Sequence, residues 1–372
     1  MGRPIALVGI EKTKETCVAK TRVVGLDIGT THVRAAEVEF GSRGPAATER
    51  PKALRFAEQP LPDGSIRDGE VVEPAIVSTA IRQLWKRGGF TTKEVVIGVG
   101  NQRVLVRDIE LPAMPLAQLR ASLPYQVGDM LPVAVDDAHL DFVPTGVAQG
   151  RSGDQVTGLL VAATKDTVMA NVDAVEKAGL QVTMVDLTAL ALTRSLARGP
   201  YLDKTVAIVD VGARIATVVI VDSGVPKFVR VLPTGGHDMT EAVGRALNVP
   251  NETAEGIKKN IGIGLPVAND LIPAAQAVAE VGHVLVEAVR STLAFFTMNA
   301  SGGSLDALIL SGRGSSLAGF GQYLATAARV GVVLAAPLST MEPASGLPTG
   351  KQLEDAHRVM GVSLGLAFGV AS

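Results

Sequence analysis

Two aspartates define the chemistry open to this sequence. Asp27 ends the apolar run of "VVGLDIGTTHVRAAEVEFG", residues 23–41, and Asp210 ends that of "TVAIVDVGARIATVVIVDSG", residues 205–224. A glycine follows each acid two residues later, Gly29 and Gly212, and a β-branched stretch then closes on Gly41 or Gly224, fourteen residues after the acid in both copies. Hydrated Mg²⁺ keeps several waters and takes few protein ligands, so one or two carboxylates suffice to hold it. Glycine lets backbone N–H groups approach phosphate oxygens without a Cβ in the way. Two such hairpins facing one another across a cleft supply both needs. Asp27 and Asp210 are then water-mediated metal ligands, and Gly29, Thr30, Thr31, Gly212 and Ala213 line the phosphates. Either hairpin alone is also ordinary turn chemistry. It is the repetition, one copy in each half of the chain, that points to two similar lobes.

A third glycine turn lies in "ILSGRGSS", residues 309–316, where Gly312, Arg313, Gly314 and Ser315 follow an apolar strand. Backbone without side-chain bulk lies flat against a ribose and base, although strand–Gly-x-Gly–helix turns occur in many α/β proteins.

The elements that must position these turns read as α/β. At 372 residues the chain exceeds one ordinary core, and the length favours two or more domains. Its 47% apolar content is mostly Val, Ala and Leu with only 3% aromatic, which suits buried strands and helices in alternation. A net charge of −2 offers no field for nucleic acid or anionic lipid. Cys17 is the single cysteine, so thiolate metal sites and an internal disulfide are excluded, and a cytoplasmic location fits. Residues 1–21 read as a flexible tail and not a signal peptide. Residues 278–300 carry Glu280, His283, Glu287 and Arg290, and residues 359–372 are too short, so neither is read as a membrane span.

Helix signals frame "EPAIVSTAIRQLWKRGG": Pro74 at a first helical position, Lys86 and Arg87 in the last turn, and Gly88 as the stop. Residues 101–158 break the βα rhythm with prolines at 112, 115, 124, 132 and 144 and read as an inserted α+β subdomain holding one short helix and an exposed loop, "GVAQGRSGDQ". Regular alternation resumes with "TGLLVAAT", a helix capped by Asp166, and "QVTMVDL". A long amphipathic helix is expected over residues 273–299. The domain reading is a first lobe over 22–204 carrying the insert, and a second lobe over 205–372 with a helical subdomain at about 238–300.

The three glycine segments resemble the phosphate-1, phosphate-2 and adenosine motifs of the actin-like ATPase superfamily, which includes actin, the sugar kinases, the seventy-kilodalton heat-shock chaperones and FtsA. Within it the chain is most similar to the PilM family of type IV pilus assembly, over about residues 23–372. "LRASLPYQVGDMLPVAVDDAHLDF" resembles that family's inserted subdomain, "VAATKDTVMANVDAVEKAGLQVTMVDLTALAL" its central βαβα, and "STLAFFTMNA" its long second-lobe helix. The resemblance implies two duplicated, ribonuclease H-like α/β lobes around a nucleotide cleft, with ATP and Mg²⁺ as cofactors. It implies that Asp186, in the hinge segment "DLTALAL", orients an attacking water. It implies also that Gly235 and Gly236 meet the phosphates and that Glu255 and Lys258 touch ribose and base. Arg313 departs from the family, which usually shows a small residue there.

The partner implied is the N-terminal cytoplasmic peptide of a PilN-like single-pass membrane protein, bound beside the insert in a nucleotide-dependent way. That would place the chain at the inner face of the cytoplasmic membrane, as an adaptor and at most a slow ATPase. Two alternatives stay open. "DIGTTHVRA" also resembles the phosphate hairpin of carbohydrate kinases, and an FtsA-like filament would self-associate through surfaces that leave no spacing pattern. Asp186 as a helix cap and Glu255–Lys258 as a solvated helical ion pair are equally open readings.

Overall fold

Apolar runs rich in Val, Leu and Ile become strands buried on both faces, and the acids close them. In the computed structural model, which describes residues 21–41, 50–67, 69–150, 153–299 and 304–369, the first such strand is β1 (Thr21–Ile28). All of the expected tail but Thr21, including Cys17, lies outside the described residues. The first lobe continues with β2 (His32–Phe40), β3 (Lys52–Pro60), the short pair β4 (Ile66–Arg67) and β5 (Glu70–Val71), α1 (Pro74–Gly88) and β6 (Glu94–Val99). The insert is β7 (Val104–Pro112), α2 (Leu116–Gln126), β8 (Ala138–Gly150) and β9 (Gly153–Thr164). α3 (Lys165–Lys177), β10 (Gln181–Leu187) and α4 (Thr188–Leu196) return to the lobe.

The second lobe runs through β11 (Thr205–Val211), β12 (Ala216–Asp222), β13 (Val225–Leu232), α5 (Gly236–Leu247), α6 (Asn251–Ile261), α7 (Ile272–Asn299), β14 (Ala307–Ser311), α8 (Phe320–Ala328) and β15 (Val332–Leu334). β16 (Glu342–Pro343), α9 (Lys351–Val359) and α10 (Gly361–Ala367) end the described chain.

The two large sheets repeat one topology. Their orders are β10-β6-β1-β2-β3-β16 and β13-β12-β11-β14-β15. Each is an antiparallel three-strand meander whose first strand carries two parallel strands beyond it. This is the duplication that the repeated hairpins imply, now visible in strand order.

Local signals set most element ends. α1 starts at Pro74 with Lys86 and Arg87 in its last turn, but it runs through Gly88. Gly89, at φ 65°, is the left-handed cap, and its N–H returns to the Trp85 carbonyl. α7 spans the expected range and buries Ala274, Val278, Leu285, Val286, Val289 and Leu293 in the second-lobe core. Among the described residues one helical stretch, residues 269–298, is long and apolar enough to cross a membrane; one face of it packs in the second-lobe core, while Val284, Phe295 and Met298 are exposed.

Three boundaries differ from the sequence reading. The insert extends to Thr164, because "TGLLVAAT" is the second half of β9, the middle strand of the separate sheet β7-β9-β8. Most of "GVAQGRSGDQ" is hairpin and not loop, since Val147 pairs with Val156 and Gln149 with Asp154. Asp166 sits in the first turn of α3, whose cap position is Thr164.

The largest correction concerns the C-terminus, which does not belong to the second lobe. β16 pairs with β3, and Leu364, Leu366, Ala367 and Phe368 join the first-lobe core, where Phe368 meets Phe40 edge-on at 5.2 Å. The reason is apolar area. α10 is buried along its length and lies across β1, β2, β6 and α4, which would otherwise be open to water.

That packing is close enough to need glycine. A Cβ on Gly25 would stand 2.0 Å from the Ser363 carbonyl oxygen, and one on Gly365 1.8 Å from that of Ala191. Gly25→Ala and Gly365→Ala are each expected to destabilise the protein by about 2 kcal/mol or more through overpacking. Gly256→Ala, in the exposed interior of α6 with nothing within 4 Å, is expected to stabilise it by about 0.5–1 kcal/mol. Urea unfolding of the three variants checks both signs.

Candidate functional site

β1 and β11 are the first strands of their meanders, and both end in the acid at the edge of one cleft. Asp27 pairs with Arg34 and Asp210 with Thr217, the same seven-residue offset in each hairpin. The turns close alike: Gly29 N–H donates to the His32 carbonyl at 3.0 Å, and Gly212 N–H to that of Ile215 at 2.9 Å. Both carboxylates line a single interlobe cavity of about 1060 Å³, at the upper end of the range for small-molecule sites. Thr30, Thr31 and Ala213 line it too, as do Gly29 and Gly212.

Three glycine turns meet backbone to backbone on the second-lobe side. Gly236 N–H donates to the Gly212 carbonyl at 2.9 Å and His237 N–H to that of Ala213 at 2.7 Å, so the start of α5 is fastened onto the hairpin. A Cβ on Gly235 would stand 2.4 Å from the Ala213 oxygen. Gly312, at φ 83°, lies against Val211 with equal closeness, its Cβ position 2.4 Å from the carbonyl oxygen. Gly312 and Gly314 thus press on β11 just beyond Asp210 and line the cavity with Gly236. The turn runs into a 3₁₀ segment (Arg313–Ser316) before α8, and so does not open an α-helix directly.

Burial dominates the electrostatics of the two acids. It raises Asp27, while Arg34, whose guanidinium lies 3.6 Å from the carboxylate, pulls the other way. It pushes Asp210 up to about 6, against a hydrogen bond from Ser311 and with the charge of Asp27 adding to the rise. Burial also lowers His32 to about 4, helped by the charges of Arg34 and Arg313, so the imidazole is neutral at physiological pH. Two carboxylates that resist ionisation in one cavity are the electrostatic setting a cation relieves. Among the described residues no group of three or more His, Cys, Asp or Glu converges, and a two-carboxylate donor set suits a metal that keeps its waters.

Of the residues expected from sequence, Asp27, Gly29, Thr30, Thr31, Asp210, Gly212, Ala213, Gly236, Glu255, Lys258, Gly312, Arg313 and Gly314 line the cavity. Gly235 sits behind the wall as the cap of α5, donating to Asp238 at 2.7 Å. Ser315 is buried, with its hydroxyl on the Gly312 carbonyl at 2.5 Å, and holds the turn from within. Lys258 is also a support. Its three N–H donors are taken by the Gly236 carbonyl at 2.8 Å, Thr240 at 2.8 Å and Glu255 at 2.6 Å, leaving Glu255 as the partner that faces the cleft.

Asp186 is a correction. Its carboxylate, 1% exposed, is outside the cavity lining and is ion-paired with Arg194, and it accepts the Leu187 N–H at 2.8 Å where α4 begins. A buried carboxylate neutralised in this way has no reach to a water in the cleft. Two residues of this segment do line the cleft, Leu192 and Thr188, and the Thr188 hydroxyl donates to the Val99 carbonyl at 3.0 Å. Arg34 and Glu58 were also missed. Arg34 was legible as the cross-strand partner of Asp27 seven residues on, whereas Glu58 reaches the cleft only through the pairing of β3 with β2.

Two lobes of one duplicated topology with acid–glycine hairpins facing a shared cleft define an actin-like ATPase fold. The family model described as type IV pilus assembly protein PilM matches residues 25–370, and the chain belongs to that family. It is similar, at 27% identity and a TM-score of 0.81, to a solved PilM–PilN type IV pilus biogenesis complex, with 94% of this chain and 99% of that one covered. It is 25% identical over 263 residues to the cell division protein FtsA of Streptococcus pneumoniae, covering 65% of this chain and 56% of that protein. The chain thus spans a little over half the length of that relative. The ethanolamine utilization protein EutJ of Carboxydothermus hydrogenoformans shares the fold at 15% identity and a TM-score of 0.54, over 94% of this chain and 90% of that one.

The raised acid gives a stability test. Asp210 takes up its proton more readily in the folded chain than in the unfolded one, so the associated stabilisation is complete below the ordinary value of 3.8 and is lost as pH rises through about 6. Asp210→Asn imitates the protonated group. In metal-free buffer it is expected to stabilise the protein by about 1–3 kcal/mol at pH 7.5 and by little at pH 4, measured by thermal unfolding at both.

Proposed function

We propose that this chain is a nucleotide-binding adaptor of type IV pilus assembly. It holds ATP and Mg²⁺ between its lobes, with Asp27 and Asp210 contacting the metal through water and the Gly29–Thr31 and Gly212–Ala213 turns along the phosphates. Gly312, Gly314 and Glu255 take the ribose and base. The closed lobes bind the N-terminal cytoplasmic peptide of a PilN-like inner-membrane protein, and this partner keeps the chain at the inner face of the membrane.

The observation that carries the reading is the opening of two equivalent acid–glycine hairpins into one cavity. The PilM–PilN complex supports the partner, since that structure covers nearly all of this chain. The insert also presents apolar side chains in and just after α2, with Leu116 and Met130 exposed and Tyr125 91% exposed, as a peptide-binding surface requires.

A slow or idle ATPase suits the hinge, because Thr188 offers a hydroxyl already donated to a backbone carbonyl where a water-orienting carboxylate would stand. The kinase alternative needs a base in a second pocket. Asp141 is spent on Arg120 at 2.7 Å, and Asp136 and Asp137 lie in a turn away from the cleft lining. Bound nucleotide here sets a conformation, which requires that it bind the closed form better than the open one.

Isothermal calorimetry is expected to detect ATP binding in Mg²⁺ that weakens at least about tenfold, ~1.4 kcal/mol, in Asp210→Ala and in Asp27→Ala. Unchanged affinity in both variants would count against the cleft as the site. Chelating the metal is expected to weaken ATP binding to the native chain and to leave a double Asp27→Ala, Asp210→Ala variant unaffected. A synthetic peptide from the N-terminus of the PilN-like protein is expected to bind several-fold more tightly with ATP and Mg²⁺ than without, read by fluorescence anisotropy. Equal affinities would remove the nucleotide dependence.

A further inference from the structure

We infer that Glu58 is a positioning residue of the cleft, whose carboxylate clasps one arginine from each lobe and thereby slows nucleotide exchange; this rests on the nucleotide reading above. Glu58 lies near the end of β3 in the first-lobe sheet. Its Oε2 accepts from Arg34 Nε at 3.2 Å, on β2 of the same sheet, and from an Arg313 terminal nitrogen at 2.5 Å, in the turn after β14 of the second lobe. Arg34 in turn lies 3.6 Å from Asp27. Charges therefore alternate Asp27, Arg34, Glu58, Arg313 from the acid of one lobe to the glycine turn of the other, and all four residues line the cavity.

Arg313 is held for this contact by its backbone. Gly312 N–H donates to the Arg358 carbonyl at 2.7 Å, and Gly312 itself is pressed on Val211, so the turn cannot swing away without leaving β11. The ordinary reading is a solvated ion pair of little worth, since the Glu58 and Arg313 side chains are 34% and 42% exposed. Two features set this pair apart. Glu58 receives both guanidinium groups at once; burial opposes its charged form, yet Arg313 and Arg34 together hold its carboxyl below the ordinary range. The pair also joins elements of different sheets, so it exists only while the lobes are closed, and any opening that admits or releases a ligand must break it.

The test uses the full chain, a fluorescent ATP analogue with Mg²⁺, and stopped-flow displacement by unlabelled ATP. Glu58→Gln and Arg313→Gln are each expected to speed dissociation about two- to fivefold, the range an exposed pair supplies. The double variant is expected to be no faster than the faster single, and Arg313→Lys to recover part of the loss. Wild-type rates in both singles, or effects that multiply in the double, would overturn the clasp. Hydrogen exchange on the nucleotide-free chain gives a readout that does not depend on the nucleotide reading. Glu58→Gln is expected to raise exchange at residues 312–316, and unchanged exchange would overturn the clasp. Failure of the wild-type chain to bind the analogue would instead count against the nucleotide site.

Discussion

The cleft depends on two carboxylates held at the ends of buried central strands, where ionisation is costly and nearby cations are few. Asp27 has Arg34 beside it, but Asp210 has a hydroxyl from Ser311 and the charge of Asp27 to contend with. Strand pairing fixes their backbone: Asp27 pairs with Arg34 of β2, and Asp210 with Thr217 of β12 and Ser311 of β14. The energy stored by burying them is what a shared cation between the lobes would recover. The glycine turns follow from the same constraint. Backbone must come close to the acids without side chains, and at Gly235 and Gly312 the neighbouring carbonyl leaves no room for a Cβ.

Fixed turns need supports, and several polar residues around the cleft serve that end. Lys258 spends its donors on Gly236, Thr240 and Glu255, tying α6 to the start of α5, while α5 is itself tied to Gly212 and Ala213. Burial pulls the Lys258 ammonium down from its ordinary value, and Glu255 opposes that shift. Burial would raise Glu255 in turn, but the hydrogen bonds from Lys258 and Thr240 hold it low. This is a part-buried network in which all three Lys258 donors are taken, so loss of Glu255 or Thr240 leaves the lysine short of a partner. It links the helix that offers Glu255 to the turn beside Asp210, so the two ends of the second-lobe wall are one hydrogen-bonded piece.

The lobes are joined in more than one place. The chain leaves the first lobe after α4, builds the second, and then comes back, with β16 on the edge of the first sheet and α10 across its face. The insert reaches the other way: Lys227 of β13 donates to the Thr145 carbonyl of β8 at 2.8 Å. A surface on the insert is therefore in physical contact with the edge of the second-lobe sheet.

The sequence by itself determined the repeated hairpins, the α/β alternation and the inserted subdomain, because strand periodicity, glycine turns and proline breaks are local and act through nearby backbone. The repeat and the family resemblance led to the expectation that Asp27, Asp210 and the glycine turns share one cleft, and the packing of the two lobes brings them there. Tertiary structure alone decided what depends on residues far apart in the chain. Asp186 was turned from the cleft by Arg194 and the C-terminal segment packed beside it, Lys258 was drawn into a support by α5, and Glu58 was brought to Arg313 across 255 positions. The C-terminal helices went to the first lobe because the open face of its sheet lay there, and no local pattern in residues 335–369 distinguishes one lobe's uncovered apolar surface from the other's.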